Sequence, residues 1–148
     1  MNVPDKKEIE VIDGIRRSVL GRWPVSEEDN FPMALDEANK RLFVGVWKPA
    51  QLLVIDTETG KQVAAGDIAG KTDDLFYDSA RRRVYVLTSK QFLEVFEQRN
   101  ADQYDRVARY PIPPGSQTGL FVSEWGKLFV AVPAQGEQNA EVRVYLAH

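Results

Sequence analysis

The sequence of 148 residues contains no cysteine and only one histidine, which is the last residue, His148. Without cysteine, the chain forms no disulfide, no thiolate metal site and no cysteine nucleophile. With a single histidine, one chain cannot assemble a Ser-His-Asp triad or a histidine cluster around a metal ion. Gly-rich phosphate loops and nucleotide-binding fingerprints are also missing. These absences predict no catalytic residues, no metal site and no cofactor, and they favour a protein that is not an enzyme.

The chain also lacks an excess of positive charge and any long apolar run. Its 22 acidic and 19 basic residues give a net charge of −3, whereas proteins that bind nucleic acid without regard to sequence usually carry a basic excess. No run approaches the roughly 20 apolar residues that span a bilayer. The first residues, MNVPDKKEIEVID, have no apolar stretch after their lysines. We therefore expect a soluble chain with no signal peptide in this sequence.

An internal repeat organises most of the chain. Phe43, Tyr85 and Phe129 occupy equivalent places, 42 and 44 residues apart, in segments that each join two apolar runs through a polar turn. The three segments are MALDEANKRLFVGV (33–46), LFYDSARRRVYVLT (75–88) and LFVSEWGKLFVAV (120–132). In the second segment, the three arginines 81–83 fall on the polar turn. This position favours a solvated hairpin end over a phosphate-binding patch.

Further short apolar elements lie between and around these segments. One group reads IEVID (9–13), LLVID (52–56), LEVFE (93–97) and VRVYL (142–146), and a second reads SVLGRWPV (18–25), KQVAAGDI (61–68) and RVARYPI (106–112). Their β-branched and aromatic residues alternate with polar ones, which is typical of strands. The stretch DTETGK (56–61) suits a hairpin turn, because Gly60 takes a positive φ at no steric cost. The sequence therefore predicts an all-β protein with four strands per repeat.

Four strands in each unit of 42 to 44 residues are the signature of a β-propeller blade. The chain resembles the YVTN family of β-propellers from Glu8 to Leu146. The resemblance rests on the "YVTN"-like segments YVLTS (85–89), LFVGV (42–46) and LFVAV (128–132) and on the hairpin VIDTETGKQVA (54–64). The Trp-Asp blade ending and the Gly-His opening of WD repeats are absent. The resemblance admits a periplasmic or secreted location.

If the strands of a blade are called A to D from the axis outward, the repeat predicts one domain, 1–148, with two complete and two partial blades. The segments are a partial blade with strands C and D (8–25), a blade (30–68), a second blade (72–112) and a partial blade with strands A, B and C (117–146). The chain thus resembles the C-terminal half of a longer propeller. Because a closed propeller usually needs at least four blades, we expect a homodimer that closes a six-bladed ring by strand exchange. One C strand is then surplus at each junction, either KEIEVID or EVRVYLAH.

By analogy with propellers, ligands are expected where the D–A and B–C loops meet at the channel mouth. The candidate ligand-binding residues are Asn30, Trp47, Lys48, Thr72, Asp73, Asp74, Lys90 and Gln117. Two adjacent carboxylates, Asp73 and Asp74, suggest a cation site or a general base. The alternative, which we favour, is a turn aspartate that caps its own backbone, because adjacent residues of a strand point to opposite faces.

Three functions remain open from the sequence. The first is a non-enzymatic binding or scaffold module that associates with itself through its blade edges and takes a protein or small polar partner. The second is a ligand- or metal-binding remnant of a lactonase-like or redox-associated propeller, with its site at the channel mouth. The third, nucleic-acid binding, has precedent among YVTN-like proteins but conflicts with the negative net charge.

Overall fold

The structure is a computed structural model that describes residues 1–147 and consists of strands joined by turns. It confirms the predicted all-β class. The strands are β1 (Asn2–Val3), β2 (Glu8–Asp13), β3 (Ser18–Pro24), β4 (Met33–Asp36), β5 (Arg41–Trp47), β6 (Ala50–Asp56), β7 (Gln62–Asp67), β8 (Thr72–Asp78), β9 (Arg83–Thr88), β10 (Phe92–Asn100), β11 (Gln103–Pro111), β12 (Gly119–Val122), β13 (Lys127–Val132) and β14 (Glu141–Leu146). Single 3-10 turns at Pro4–Lys6 and Ser123–Trp125 complete the ordered elements. None of the helices in this part of the chain is long and apolar enough to cross a membrane.

The strands form four antiparallel sheets, each built from consecutive strands. Sheet I has the order β1-β2-β3, sheet II β4-β5-β6-β7, sheet III β8-β9-β10-β11 and sheet IV β12-β13-β14. Every connection is therefore a hairpin between neighbours or a link from one sheet to the next. Sheets II and III have four strands, whereas sheets I and IV have three.

The strand pairings recur from sheet to sheet at the positions that repeat in the sequence. Phe43 pairs with Ala34 on one side and Val54 on the other. The corresponding neighbours are Phe76 and Val95 for Tyr85, and Leu120 and Val144 for Phe129. The second strand of each sheet from II to IV therefore presents the same position to the same face.

Three apolar clusters lie between successive sheets. The cluster between I and II contains Ile9, Val25, Val44, Val46, Leu53 and Ile55. The cluster between II and III contains Phe43, Leu52, Val54, Leu75, Val84, Val86 and Phe96, together with Ile68. The cluster between III and IV contains Tyr85, Leu87, Leu93, Val95, Ile112, Leu128 and Val130. Because side chains alternate along a strand, each inner sheet packs one face on the preceding sheet and the other on the following one.

We call the face of a sheet that is turned to the following sheet its forward face, and the opposite one its rear face. The forward face of sheet IV is open, and Leu120, Val142 and Val144 on it are 59%, 64% and 50% exposed. Trp125, in the turn before β13, lies edge-on to Phe129 on the same side, with ring centroids 6.1 Å apart. The rear face of sheet I is also open, with Ile12 and its paired neighbour Val19 exposed. The two ends of the stack therefore expose apolar surface that the inner sheets bury.

Side chains in the turns fasten one sheet to the next. The Oδ1 atom of Asp56 accepts hydrogen bonds from the backbone N–H groups of Glu58 and Thr59. The turn closes at Gly60, which lies between Thr59 and Lys61 and has φ +69°. The indole of Trp23 lies directly on Gly60, and a Cβ there would stand 2.2 Å from the Trp23 Cδ1 atom. This glycine therefore permits both the turn and the contact between sheets I and II.

Candidate functional site

The innermost strands β4, β8 and β12 lie side by side and border a groove of about 450 Å³. The groove is lined by Phe31, Pro32, Met33, Ala34, Leu35, Asp73, Asp74, Leu75, Phe76, Tyr77, Phe121 and Ser123. Most of these side chains are apolar, and its only charged members are the two adjacent aspartates. The first strands of three successive sheets thus form one concave surface with a local negative charge.

Of the eight candidate residues, Asp73 and Asp74 line this groove. Both are half-buried. The Oδ2 atom of Asp74 accepts a hydrogen bond of 2.9 Å from the backbone N–H of Gly119, at the start of β12. Burial raises the pKa of the Asp74 carboxyl, and the charge of Asp73 adds to the rise, while the hydrogen bond from Gly119 opposes it. Within residues 1–147, no group of three or more acidic, histidine or cysteine side chains is placed to hold a metal ion.

Asn30 and Thr72 are fully buried, away from the groove. The Nδ2 atom of Asn30 donates to Asn2 Oδ1 at 2.9 Å and to the Glu8 carbonyl oxygen at 3.2 Å, which fastens sheet I. Thr72 Oγ1 donates to the carbonyl oxygen of Asp74 at 3.0 Å. The strand register matches both residues with Ser116, which is also buried, rather than with Gln117. The buried residues at this repeated position therefore help to connect neighbouring sheets.

The remaining candidates, Trp47, Lys48 and Lys90, contact residues other than the two aspartates of the groove. The Nε1–H of Trp47 donates to the carbonyl oxygen of Thr72 at 3.0 Å, and Lys71 Nζ stands 4.6 Å from the centre of its ring. Lys48 Nζ lies 3.5 Å from Asp29 and 3.8 Å from Glu28. The stem of Lys90 lies against Gly70. Trp47 therefore joins sheets II and III, and Lys48 neutralises acidic neighbours.

The arginine triplet at 81–83 occupies the turn between β8 and the start of β9, as the repeat predicts. Arg81 forms an ion pair of 3.1 Å with Asp78, and Arg83 lies 3.9 Å from Glu97. Arg82 donates to the carbonyl oxygen of Arg99 at 3.0 Å. Each arginine thus has a partner nearby, which supports a structural role for the triplet.

Sequence reasoning missed a buried ionic group between sheets II and III. Glu94 is fully buried and lies 2.7 Å from Arg109 and 3.1 Å from Arg106. Its Oε2 atom also accepts a hydrogen bond of 2.6 Å from the backbone N–H of Ala69. A signal was present, because a glutamate in the middle of the apolar run LEVFE is followed by two arginines in the next strand. The two arginines and the backbone N–H of Ala69 satisfy this buried charge.

A second buried network lies beside it. Gln98 Nε2 donates to Asp36 Oδ2 at 2.8 Å and to the Tyr104 hydroxyl at 3.0 Å, and the Tyr77 hydroxyl donates to Gln98 Oε1 at 2.8 Å. Burial raises the pKa of Tyr77, and the charge of Asp36 adds to the rise. Burial opposes ionisation of Asp36 as well, but hydrogen bonds from Gln98 and Asn39 outweigh it and lower its pKa. These polar groups fix the alignment of the two inner sheets.

Comparisons with known proteins give a likeness in fold. No protein-family profile matches the chain, and no curated protein matches it in sequence. The structure of Kuenenia stuttgartiensis hydrazine synthase is similar, with 14% identity and a TM-score of 0.80 over 93% of this chain and 39% of that chain. A chain in a crystal structure of the mitotic checkpoint complex is similar with 11% identity and a TM-score of 0.76, over 94% and 43%. The chain thus spans less than half the length of either.

Both of these structures contain propellers, and at such identities the likeness concerns the fold alone. The four stacked antiparallel sheets of this chain have the same architecture. The chain is therefore an all-β protein of the β-propeller class. Sheets II and III have the four strands of complete blades, while sheets I and IV have three each.

Proposed function

We propose that this chain is a non-enzymatic binding or scaffold module of the YVTN kind of β-propeller, which associates with itself through its terminal sheets to close a six-bladed ring. The observation that carries the proposal is the apolar surface at both ends of the stack. Ile12 on sheet I and Leu120 on sheet IV are 43% and 59% exposed. Exposed apolar patches of this kind mark interaction sites, and closed symmetry satisfies both ends with one contact type.

The solution mass tests this proposal. Light scattering during gel filtration is expected to give twice the chain mass of 16.8 kDa. Ile12→Asp places a charge on the rear face of sheet I and is expected to reduce the mass to that of one chain. Ile15→Asp is the matched control, because Ile15 is 95% exposed in the turn between β2 and β3, and it should leave the doubled mass unchanged. A wild-type mass of 16.8 kDa at every concentration tested contradicts self-association.

A second candidate function is binding of a small cationic ligand in the groove beside β4, β8 and β12. It is supported by the two half-buried carboxylates in an otherwise apolar surface. Small-molecule sites typically combine apolar walls with a few polar groups of this kind. Calorimetric titration with calcium and with a small organic amine tests it, using Asp73→Asn/Asp74→Asn as the matched control. Heat that is the same for wild type and the double variant contradicts a site at these aspartates.

A further inference from the structure

Two grooves lie where the terminal sheets have fewer strands than the inner ones. The first, of about 480 Å³, lies beside β2, where Met33, Leu35 and Leu42 of sheet II meet Ile9 and Ile12 of sheet I. Only the two residues of β1 pair with this side of β2, whereas sheets II and III have two full strands there. This groove therefore lies where a complete blade has its two inner strands.

The second groove, of about 680 Å³, lies beside β14 and over β11. Its walls include Val95, Val107 and Tyr110 of sheet III and Val144 and Tyr145 of sheet IV. In sheets II and III, the corresponding side of the third strand is covered by a fourth strand, β7 or β11. This groove therefore lies where a complete blade has its outer strand.

The strand registers show which halves of a blade the terminal sheets represent. The β2–β3 hairpin has a register shift between Val11 and Ile12, and the β6–β7 hairpin has one between Val54 and Ile55. β2 and β3 therefore match the third and fourth strands of a complete blade. Strands β12 and β13 match β4 and β5, because Phe129 pairs with Leu120 as Phe43 pairs with Ala34. The inner half of one blade and the outer half of another are thus present at opposite ends of the chain.

We propose that β13 of one copy pairs with β2 of a second copy, so that β12 and β13 of the first and β2 and β3 of the second form one four-stranded blade, with β14 of the first and the two-residue β1 of the second displaced. This inference rests on the proposed self-association and names the strands that carry it. The inner pair fills the groove beside β2, and β3 fills the groove over β11. Two copies then give four complete inner blades and two composite blades, which makes six.

Burial indicates that β14, rather than β2, leaves its place. Four of the six residues of β14, from Glu141 to Val144, are exposed, as is Leu146. By contrast, Ile9 of β2 is 2% exposed in the cluster between sheets I and II. The exchange gives up the six β13–β14 residue pairs and the two β1–β2 pairs and forms six β13–β2 pairs, so most of the backbone hydrogen bonding is conserved. Burial of apolar surface then favours the exchanged form.

In the composite blade, apolar side chains of the two copies meet as they do between the inner sheets of one chain. Leu120 and Phe129 of one copy take the positions from which Ala34 and Phe43 contact Leu75 and Tyr77. Their new neighbours are Met33 and Leu35 of the second copy, which are 36% and 49% exposed in a single chain. On the outer side, Ile12 and its paired neighbour Val19 are placed over Val107 and Tyr110, all of which are exposed in a single chain. The same face of sheet I carries Glu10 and Arg22, which form an ion pair of 3.2 Å and enter the composite blade together.

Because the chain has no cysteine, introduced pairs test the exchange without interference. In the proposed register Val130 is opposite Glu10 of the second copy, and directly paired residues have the separation that a disulfide needs. After oxidation, Glu10→Cys/Val130→Cys is expected to migrate at the mass of linked chains on a denaturing gel and to return to single-chain mass on reduction. Each single variant should give less than one tenth of that linked band. A linked fraction no greater than in the single variants overturns the proposal.

A second pair locks β14 in place. Val130 pairs with Arg143 within the chain, so Val130→Cys/Arg143→Cys forms an intrachain disulfide when oxidised. The oxidised variant is expected to have the mass of one chain by light scattering, and the reduced variant the doubled mass. If the oxidised variant keeps the doubled mass, strand exchange is wrong while self-association stands. If the wild type itself has the mass of one chain, both proposals fail.

Discussion

The two inner sheets and the two terminal sheets are built from the same repeat but differ in what covers them. Phe43 of sheet II is fully buried beneath Tyr77 and Tyr104, with ring centroids 5.0 Å and 5.4 Å away. Phe129, at the same position of sheet IV, has Trp125 as its aromatic neighbour and stays half-exposed. The difference teaches that the strand pattern is set within a sheet, whereas the stability of each position is set by the next sheet.

The same contrast holds for the ionic groups. Glu94 of sheet III and Glu10 of sheet I have matching registers, and each pairs with an arginine of the next strand, Arg109 or Arg22. Glu94 is closed over by the backbone of Ala69 from sheet II. No sheet of the same chain covers Glu10 on this side, since sheet I is first in the stack. One glutamate is therefore part of an interface and the other lies on an open face.

The largest difference between inner and terminal sheets is expected for aromatic truncation. Phe43→Ala should lower the free energy of unfolding by about 4 kcal/mol, because it opens a cavity among buried rings. Phe129→Ala, the matched change, should cost about 1 kcal/mol, because the side chain is already partly in water. Urea unfolding of both variants, in the oxidised Val130→Cys/Arg143→Cys background, measures each loss. Equal losses would contradict the contrast between covered and open sheets.

A smaller difference is expected for the paired glutamates. Glu94→Gln removes the buried carboxylate that two half-exposed arginines share, and we expect a loss of about 2 kcal/mol. Glu10→Gln disrupts a more exposed pair and should cost less than about 1 kcal/mol. Thermal and urea unfolding at low salt, in the same oxidised Val130→Cys/Arg143→Cys background, measure both. The interface role of Glu94 is refuted if its variant is as stable as the Glu10 variant.

The network at Asp36 predicts a specific dependence of stability on pH. Its folded pKa lies below the usual value of 3.8, so the carboxylate stabilises the fold above pH 3.8, and this contribution is lost as the pH falls through the folded pKa. Asp36→Asn should lower the free energy of unfolding by about 2 kcal/mol at pH 7. It should also flatten the acid side of the stability curve between pH 4 and pH 2. An unchanged acid slope would show that another group is responsible.

The groove aspartate should give the smallest effect, with the opposite sign. The folded pKa of Asp74 is raised, so its contribution favours the fold at low pH and is lost as the pH rises through the folded pKa. Asp74→Asn should therefore be more stable than wild type at pH 7, by about 0.5 kcal/mol, because the amide oxygen still accepts from Gly119. NMR titration of the Asp74 carboxyl checks the direction, with Asp73→Asn as the matched variant that removes the neighbouring charge. A titration below the ordinary aspartate range would contradict burial as the dominant cause.

The sequence was sufficient for the strands and their repeat because both depend on local alternation. The positions of Phe43, Tyr85 and Phe129 predicted three equivalent strands, and the stretch that ends at Gly60 predicted its turn. The candidate site was harder to predict. Asn30 and Thr72 belong to contacts between sheets, and the pairing that matches Leu120 with Ala34 and Phe76 puts Ser116, rather than Gln117, at their position. Such contacts depend on how sheets stack, which a single repeat does not encode.

The three tryptophans occur at three different boundaries of the stack. Trp23 lies on Gly60 between sheets I and II, Trp47 binds the backbone of Thr72 between sheets II and III, and Trp125 lies on the open face of sheet IV. Each indole therefore reports on a separate junction through its emission wavelength. In single-tryptophan variants with phenylalanine at the other two positions, Trp23 and Trp47 would follow detachment of neighbouring sheets. The emission of Trp125, which is 65% exposed, would shift to shorter wavelength only when another surface covers the indole. Its fluorescence would therefore report assembly without an added label.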